Sequence, residues 1–239
     1  MRQLLADLAL PDIAAAKVRA TERFRPLSGY SGHLVQLKTS WCGTPQARAR
    51  SIGTLPAMTE LGPAAWPPAP IRTERLVLRE PEARDRMAVI ELFASPEVGT
   101  YIGGPRPRDE LERTVPEEPR RRPGLFVVDL DGAMIGTITF DRRDAERPGH
   151  LRPDAGEAEL GYMFLPEAWG YGYAAEACAA ALDWFANALP SEPVVLCTQT
   201  ANDRSMRLAA KLGFTEADRF KEYGAEQWFG VWSSVKSSG

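Results

Sequence analysis

The chain has 239 residues, with 29 Lys+Arg against 32 Asp+Glu and a formal net charge of −3. A hydrophobic share of 44% and a charged share of 26% belong to a globular chain, not a disordered or collagen-like one, and no stretch reaches the ~20 apolar residues of a membrane span. Three widely spaced cysteines (Cys42, Cys178, Cys197) exclude a disulfide framework and a CxxC zinc site, two histidines (His33, His150) exclude His-rich metal catalysis, and neither a P-loop nor a GxSxG nucleophile elbow occurs.

At the N-terminus, Asp7 and Asp12 interrupt the apolar run and no cleavage site follows, so no secretory signal is read and the default is a soluble cytoplasmic protein. Residues 1–57 hold eight Lys/Arg and three Asp/Glu, and no acidic residue lies between Glu22 and Glu60. The remainder carries a net −8. The first segment lacks sustained periodicity and reads as a poorly structured basic extension, from an upstream start or an added leader, with its place in the native protein left open. It has no aromatic interleaving or repeated basic motif, so nucleic acid is not an expected partner. Residues 58–70 are a proline-rich lead-in, with Pro63, Pro67, Pro68 and Pro70. The folded domain is placed at 71–232, with 233–239 as a tail.

Arg75 to Arg79 alternates charged and apolar residues and predicts a strand. Pro81 ends it, and Glu82 to Phe93 predicts a helix with Met87, Ile90, Leu92 and Phe93 inward. Residues 105–124 are rich in proline and arginine, with a helix only over Asp109 to Val115, and Arg120-Arg121-Arg122 reads as a solvated run. Leu125 to Val128 and Ile135 to Phe140 form a hairpin across Asp131-Gly132. Asp141 to Gly156 is a polar loop. Glu157 to Leu165 is a strand, on which Glu157 and Glu159 share one face. Tyr173 to Leu189 is a helix burying Ala174, Ala177, Cys178, Ala181, Leu182 and Phe185. Val194 to Thr200 is a buried strand, and Asn202 to Leu212 a helix ended by Gly213 as a left-handed cap. Phe220 and Trp228 to Trp232 close with strands. Strands first in a run and then alternating with helices give an α/β or α+β layered fold, a mixed sheet with helices packed on it.

The chemistry is expected at a strand, a glycine-rich turn and a helix. The stretch Glu159 to Leu165 leads into Trp169-Gly170-Tyr171-Gly172-Tyr173-Ala174-Ala175-Glu176. The first N–H groups of a helix have no intrahelical partners, and glycines before them let a phosphate approach the backbone. Glycine is also used in tight strand-to-helix turns for steric reasons alone, so both readings stand. No cation lies within the turn, so binding there relies on main-chain donors. Asn202 and Ser205 open the next helix. Asn202 either bonds an extended peptide-like ligand or caps the helix, and both readings stand. A dinucleotide-binding turn is disfavoured, because Ala175 stands where a third glycine belongs. Cys178 and Cys197 read as packing, as do Trp184, Phe185, Trp228, Phe229 and Trp232.

These residues as a set resemble the GCN5-related N-acetyltransferase (GNAT) family, and within it the Rim-type ribosomal-protein N-acetyltransferase-like subgroup. Ile71 to Arg79 is similar to its first strand, Trp169 to Ala177 to its Trp-Gly-x-Gly-Tyr-Ala-x-Glu-Ala motif, and Asn202, Ser205 and Leu212-Gly213-Phe214 to its closing motifs. The resemblance covers about residues 71–232. It implies a mostly antiparallel mixed sheet, splayed between two central strands, with helices on both faces. It implies acetyl-CoA as co-substrate, with no metal. The pantetheine arm is expected at Met163, Phe164 and Leu165, the pyrophosphate at Gly170, Tyr171, Gly172, Tyr173 and Ala174, and further contacts at Trp169, Asn202 and Ser205. Trp169 stands where the wider family has Gln or Arg.

The same resemblance implies attack of a neutral amine on the thioester in a ternary complex. Glu159, preceding the family's strand bulge, is the candidate base, with an exposed strand residue as its plain alternative, and an N–H near Phe164 is the oxyanion donor. Many members use a tyrosine on the last helix to protonate the thiolate. Ala209 matches that position here, so Ser205 is the expected substitute and Tyr223 a weaker one. The acceptor is a protein N-terminal α-amine or a small-molecule amine. A terminal amine, with pKa about 7.7–8.0, makes smaller demands on a base than lysine does. A non-catalytic acyl-CoA-binding or regulatory module on the same fold is the alternative, and a homodimer stays open.

Overall fold

The computed structural model describes residues 68–119, 122–152 and 156–233. The chain divides into two units, residues 1–9 with 58–239 and residues 10–57, and every described residue belongs to the first. The expected extension over 1–57, the lead-in up to residue 67, Arg120-Arg121 and the tail after Ser233 lie outside the described residues.

Among the described residues, eight strands form one sheet: β1 (Ile71–Arg72), β2 (Val77–Arg79), β3 (Leu125–Leu130), β4 (Ala133–Arg142), β5 (Ala158–Phe164), β6 (Val194–Gln199), β7 (Thr215–Glu222) and β8 (Ala225–Trp232). Their order is β1-β2-β3-β4-β5-β6-β8-β7. Every neighbouring pair is antiparallel except β5 and β6. That one parallel pair needs a crossover, which helix α4 (Tyr173–Ala188) supplies. The other α-helices among the described residues are α1 (Arg86–Ala94), α2 (Pro96–Gly99), α3 (Arg108–Thr114) and α5 (Asp203–Leu212).

The two sheet faces bury two cores. Leu78, Phe126, Ile138, Phe140, Leu160 and Phe164 pack with α4 and α5 on one face. Val127, Met134, Met163 and Leu165 pack with α1 and α3 on the other. Strand alternation sends neighbouring residues to opposite layers. The apolar stripe expected on α4 is buried from Ala177 through Phe185, with Ala174 half-buried against it. The β3–β4 hairpin forms as expected, because Asp131 (φ 53°) and Gly132 (φ 87°) supply the two left-handed residues of its turn.

Four local expectations are corrected. The single first strand is instead a small hairpin, Ile71 opposite Leu78 and Arg72 opposite Val77, because Thr73 Oγ1 accepts from Leu76 N (2.9 Å) and turns the chain. Glu82 to Phe93 is broken into a 3-10 turn, Ala83–Asp85, and α1. Met87 lies outward at 53% exposure, whereas Ile90, Leu92 and Phe93 are buried. Arg122 is buried and bonded to Asp141 (2.5 Å), not solvated.

Arg79 also defies its charge pattern. It is 9% exposed, and its guanidinium holds Asp85 in a fork (2.7 and 2.8 Å) and Asp129 at 2.8 Å. Asp129 also accepts from Gly132 N (2.7 Å), so this cluster joins the entry to α1 to the hairpin turn. Removing one partner leaves a buried charge poorly compensated. Asp85→Ala is expected to lower unfolding free energy by about 3–5 kcal/mol, measured by urea denaturation.

Candidate functional site

The sheet opens at its centre. β5 and β6 pair only at Ala158–Val194 and Glu159–Val195. Beyond them β5 runs on to Phe164 and β6 to Gln199 without pairing to each other. β5 stays paired to β4 in continuous register from Arg142–Ala158 to Gly136–Phe164. The bulge expected after Glu159 is therefore absent from that ladder. At its two ends Arg143 N donates to Glu157 O (2.9 Å) and Leu165 N to Ile135 O (2.9 Å). Antiparallel alternation then turns the peptide groups of Glu159, Gly161 and Met163 toward β4, and those of Leu160, Tyr162 and Phe164 toward the gap. Of the three residues expected to meet a pantetheine arm, Phe164 thus faces the gap, while Leu165 has its N–H committed to β4.

Both strand ends lead to helix N-termini at the mouth of this gap. Gly170 (φ 88°) and Gly172 (φ 82°) hold left-handed conformations that a side chain would strain. Gly172 is the N-cap of α4, and no side chain caps that helix, so its leading amides keep their capacity for an anion. Trp169 donates its indole N–H to Phe164 O (2.8 Å), locking the turn onto β5. Tyr171 is exposed and stacked on Tyr173 at 5.7 Å.

Two cations invisible to the local sequence reach this turn. Arg204, from the first turn of α5, lies 4.4 Å over the Trp169 ring. Arg75 donates to Tyr171 O (3.0 Å) and covers Tyr173 at 4.7 Å. Arg75 is held by Glu176 through its backbone N (2.9 Å) and Nε (2.7 Å), and Thr73 Oγ1 donates to the same carboxylate (2.6 Å). The Thr-Glu-Arg run of the first strand motif and the glutamate of the glycine motif are therefore partners. Burial acts to raise the Glu176 carboxyl, but the bonds from Thr73 and Arg75 outweigh it and hold the group below the usual carboxylate range.

At the start of α5, Asn202 caps the helix: its side chain accepts from Ser205 N (3.2 Å). Ser205 Oγ lies 2.8 Å from the hydroxyl of Tyr162, which stands on β5 across the gap. Ala209, one turn further, is fully buried. Tyr223 occupies the exposed turn between β7 and β8 with φ 53°.

On the sheet face opposite α4 and α5, Glu159 is not free. Its Oε2 meets Arg143 (2.9 Å) and Arg147 (3.3 Å), and Arg147 also grips Glu222 (2.9 and 3.1 Å). These partners lie on the loop after β4 and on the distant β7, so spacing along β5 gave no sign of them. Glu157 does not share the Glu159 environment. It is fully buried and accepts from Leu151 N (2.6 Å) and Arg152 N (3.2 Å), with His150 Nδ1 at 2.9 Å, tying down the loop before β5. The Cys197 thiol is pushed up to about 11, by burial first and by Glu159 next, and Cys178 is fully buried. Among the described residues, no group of three or more His, Cys, Asp or Glu side chains is placed to hold a metal ion, and no helix is long and apolar enough to cross a membrane.

Residues 75–215 match the model of the acetyltransferase (GNAT) domain. The chain is 28% identical over 163 residues to the uncharacterized N-acetyltransferase YoaA of Bacillus subtilis, covering 64% of this chain and 86% of the relative. A GNAT-family acetyltransferase from Bacillus anthracis superposes with a TM-score of 0.57 at 25% identity, over 69% of this chain and 98% of that one. RimL, a ribosomal L7/L12 alpha-N-protein acetyltransferase solved in complex with coenzyme A, shares the fold at a TM-score of 0.54 and 16% identity, over 69% of this chain and 98% of that one.

The Glu176 clip makes a stability prediction. A carboxyl held low in the fold contributes stability above its unfolded pKa, about 4.3, and loses it as pH falls through the folded value. Glu176→Gln is expected to cost about 1–2 kcal/mol at pH 7, the worth of charged hydrogen bonds reduced by the solvent around Arg75. The gap between the two proteins should close toward pH 3, followed by thermal melts across that range.

Proposed function

The chain belongs to the GNAT acetyltransferase family, and we propose that it transfers the acetyl group of acetyl-CoA to a primary amine by direct attack with both substrates bound. The observation that carries this is the opening of the sheet after Glu159 directly onto a helix whose leading amides no side chain caps. A diphosphate suits that turn: Gly170 and Gly172 leave the backbone uncovered, and Arg75 and Arg204 stand beside it as cations. An extended amide-bearing arm suits the gap, where the peptide groups of Tyr162 and Phe164 face no neighbouring strand.

Acetyl-CoA supplies an activated acetyl thioester. Toward it, the chain's residues hold and orient. The Phe164 N–H is the donor turned to where carbonyl charge would develop. The main-chain turn from Gly170 to Ala174 fixes the carrier, with Trp169 holding that turn to β5. Glu159 is the proton acceptor of this reading. Arg143 and Arg147 both engage the Glu159 carboxylate at Oε2, so in this reading it takes the proton, directly or through water, beside two cations. Asn202 contributes mainly by holding the first turn of α5 in place.

The Rim-type kinship is part of the proposal. The shared motifs and the fold likeness to RimL support a protein N-terminal α-amine or a small-molecule amine as acceptor. An α-amine is partly neutral at physiological pH, which suits a site whose single base is already engaged by two arginines.

Calorimetry with coenzyme A and thiol release from acetyl-CoA across a panel of amines test the proposal. Micromolar affinity is expected, weakened about tenfold or more by Gly172→Val, which sets a side chain at a left-handed residue beside the amides. Glu159→Gln should keep affinity and lower kcat about 100-fold. A well-folded chain without coenzyme A affinity would overturn the reading.

A further inference from the structure

The mouth of the gap carries a pair of hydroxyls, of which only Ser205 has an expected role. Tyr162 rises from β5 and Ser205 from the first turn of α5, 43 residues apart in sequence, and their oxygens meet at 2.8 Å. This bond crosses between the two halves of the sheet at the place where their backbones no longer pair. It is also set beside fixed backbone on both sides. Tyr162 lies in the unbroken β4–β5 ladder opposite Ile138, and Ser205 N is tied to Asn202 Oδ1.

The direction of the bond follows from the two groups. A phenol is the more acidic hydroxyl and the better donor. Were serine the donor, the tyrosine proton would need a second acceptor, and the core residues around it offer mostly apolar surface. With the phenol donating to Ser205 Oγ, the serine keeps its own proton for a third group. The methyl of Ala209, the next residue on that side of the helix, is fully buried and has no proton to give.

We infer that Tyr162 is a positioning residue for acetyl transfer, its phenol donating to Ser205 Oγ so that Ser205's own O–H is presented to the sulfur of the departing thiolate. This rests on the acetyl-CoA reading above. The bonds balance without an added reactant. The amine nitrogen forms the new bond to the carbonyl carbon, the carbon–sulfur bond breaks with its electron pair going to sulfur, and the surplus ammonium proton leaves through the base. Tyr162 and Ser205 both keep their protons: the Ser205 O–H stabilises the thiolate by a hydrogen bond, and Tyr162 acts through Ser205. Burial is the main cause raising the Tyr162 phenol above its ordinary value, so it stays a donor across the working range.

A double-mutant cycle tests the coupling. Tyr162→Phe is expected to lower kcat about tenfold in the native chain, with coenzyme A affinity by calorimetry and KM for acetyl-CoA within about twofold. In a Ser205→Ala background the same change should do nothing further, because the phenol acts only through the serine. Ser205→Thr, which keeps the hydroxyl, should restore most of the activity lost in Ser205→Ala and regain sensitivity to Tyr162→Phe. Native kcat from Tyr162→Phe, additive losses in the double variant, or a fall in coenzyme A affinity matching the fall in kcat would each overturn the inference. Melting curves of each variant accompany the rates, and the Ser205 pair decides the matter if Tyr162→Phe does not fold. A native chain that binds no coenzyme A at all would instead remove the parent reading.

Discussion

Two residues past the start of β5, its backbone loses a neighbour. Pairing with β6 stops at Glu159, yet β5 remains locked to β4 and β6 to β8 for their full lengths. Each strand therefore holds its course from its outer side while the inner edges separate. Unpaired peptide groups inside a protein are costly, and a sheet keeps them only where water or a ligand takes their bonds. The burial along β6 marks the same point: Val194, Val195 and Leu196 are buried, and from Cys197 onward the strand is half-exposed. Every other feature of the site is arranged around this opening.

The glycine turn is held at the opening by contacts remote from it in sequence. Trp169 bonds back to the last residue of β5, Arg204 covers the indole from α5, and Arg75 reaches in from the small β1–β2 hairpin. Glu176 serves as the anchor of that hairpin, one turn inside the helix whose N-terminus is left uncapped. The helix end thus stays available to an anion while its neighbourhood is rigid. A site that pre-orders its donors loses little entropy when it binds.

Charge on the opposite face is organised as a chain, not as a patch. Arg147 joins Glu159 to Glu222, with Arg143 also on Glu159, so a carboxylate on β5 and one on β7 are tied across the loop that follows β4. The net −8 outside the first 57 residues describes the chain at long range, but at the site each acid already has a guanidinium. Overall charge therefore says more about steering a cation toward the protein than about its final partner.

Much of this was legible in the residues themselves. The Asp131-Gly132 hairpin, the α4 stripe, the Asn202 cap and the Gly213 stop depend on backbone preference and periodicity within a few residues, which a linear chain displays directly. The glycine turn was legible for the same reason. Only the tertiary structure decided that Arg79 is buried, that Glu159 is held by two arginines, that Arg75 and Glu176 clasp each other, and that Tyr162 meets Ser205. Each of those is a contact between polar side chains far apart in sequence. A charged or hydroxyl side chain reads as solvent-facing until the fold brings its partner, because whether its burial is tolerable depends on that partner and not on its neighbours along the chain.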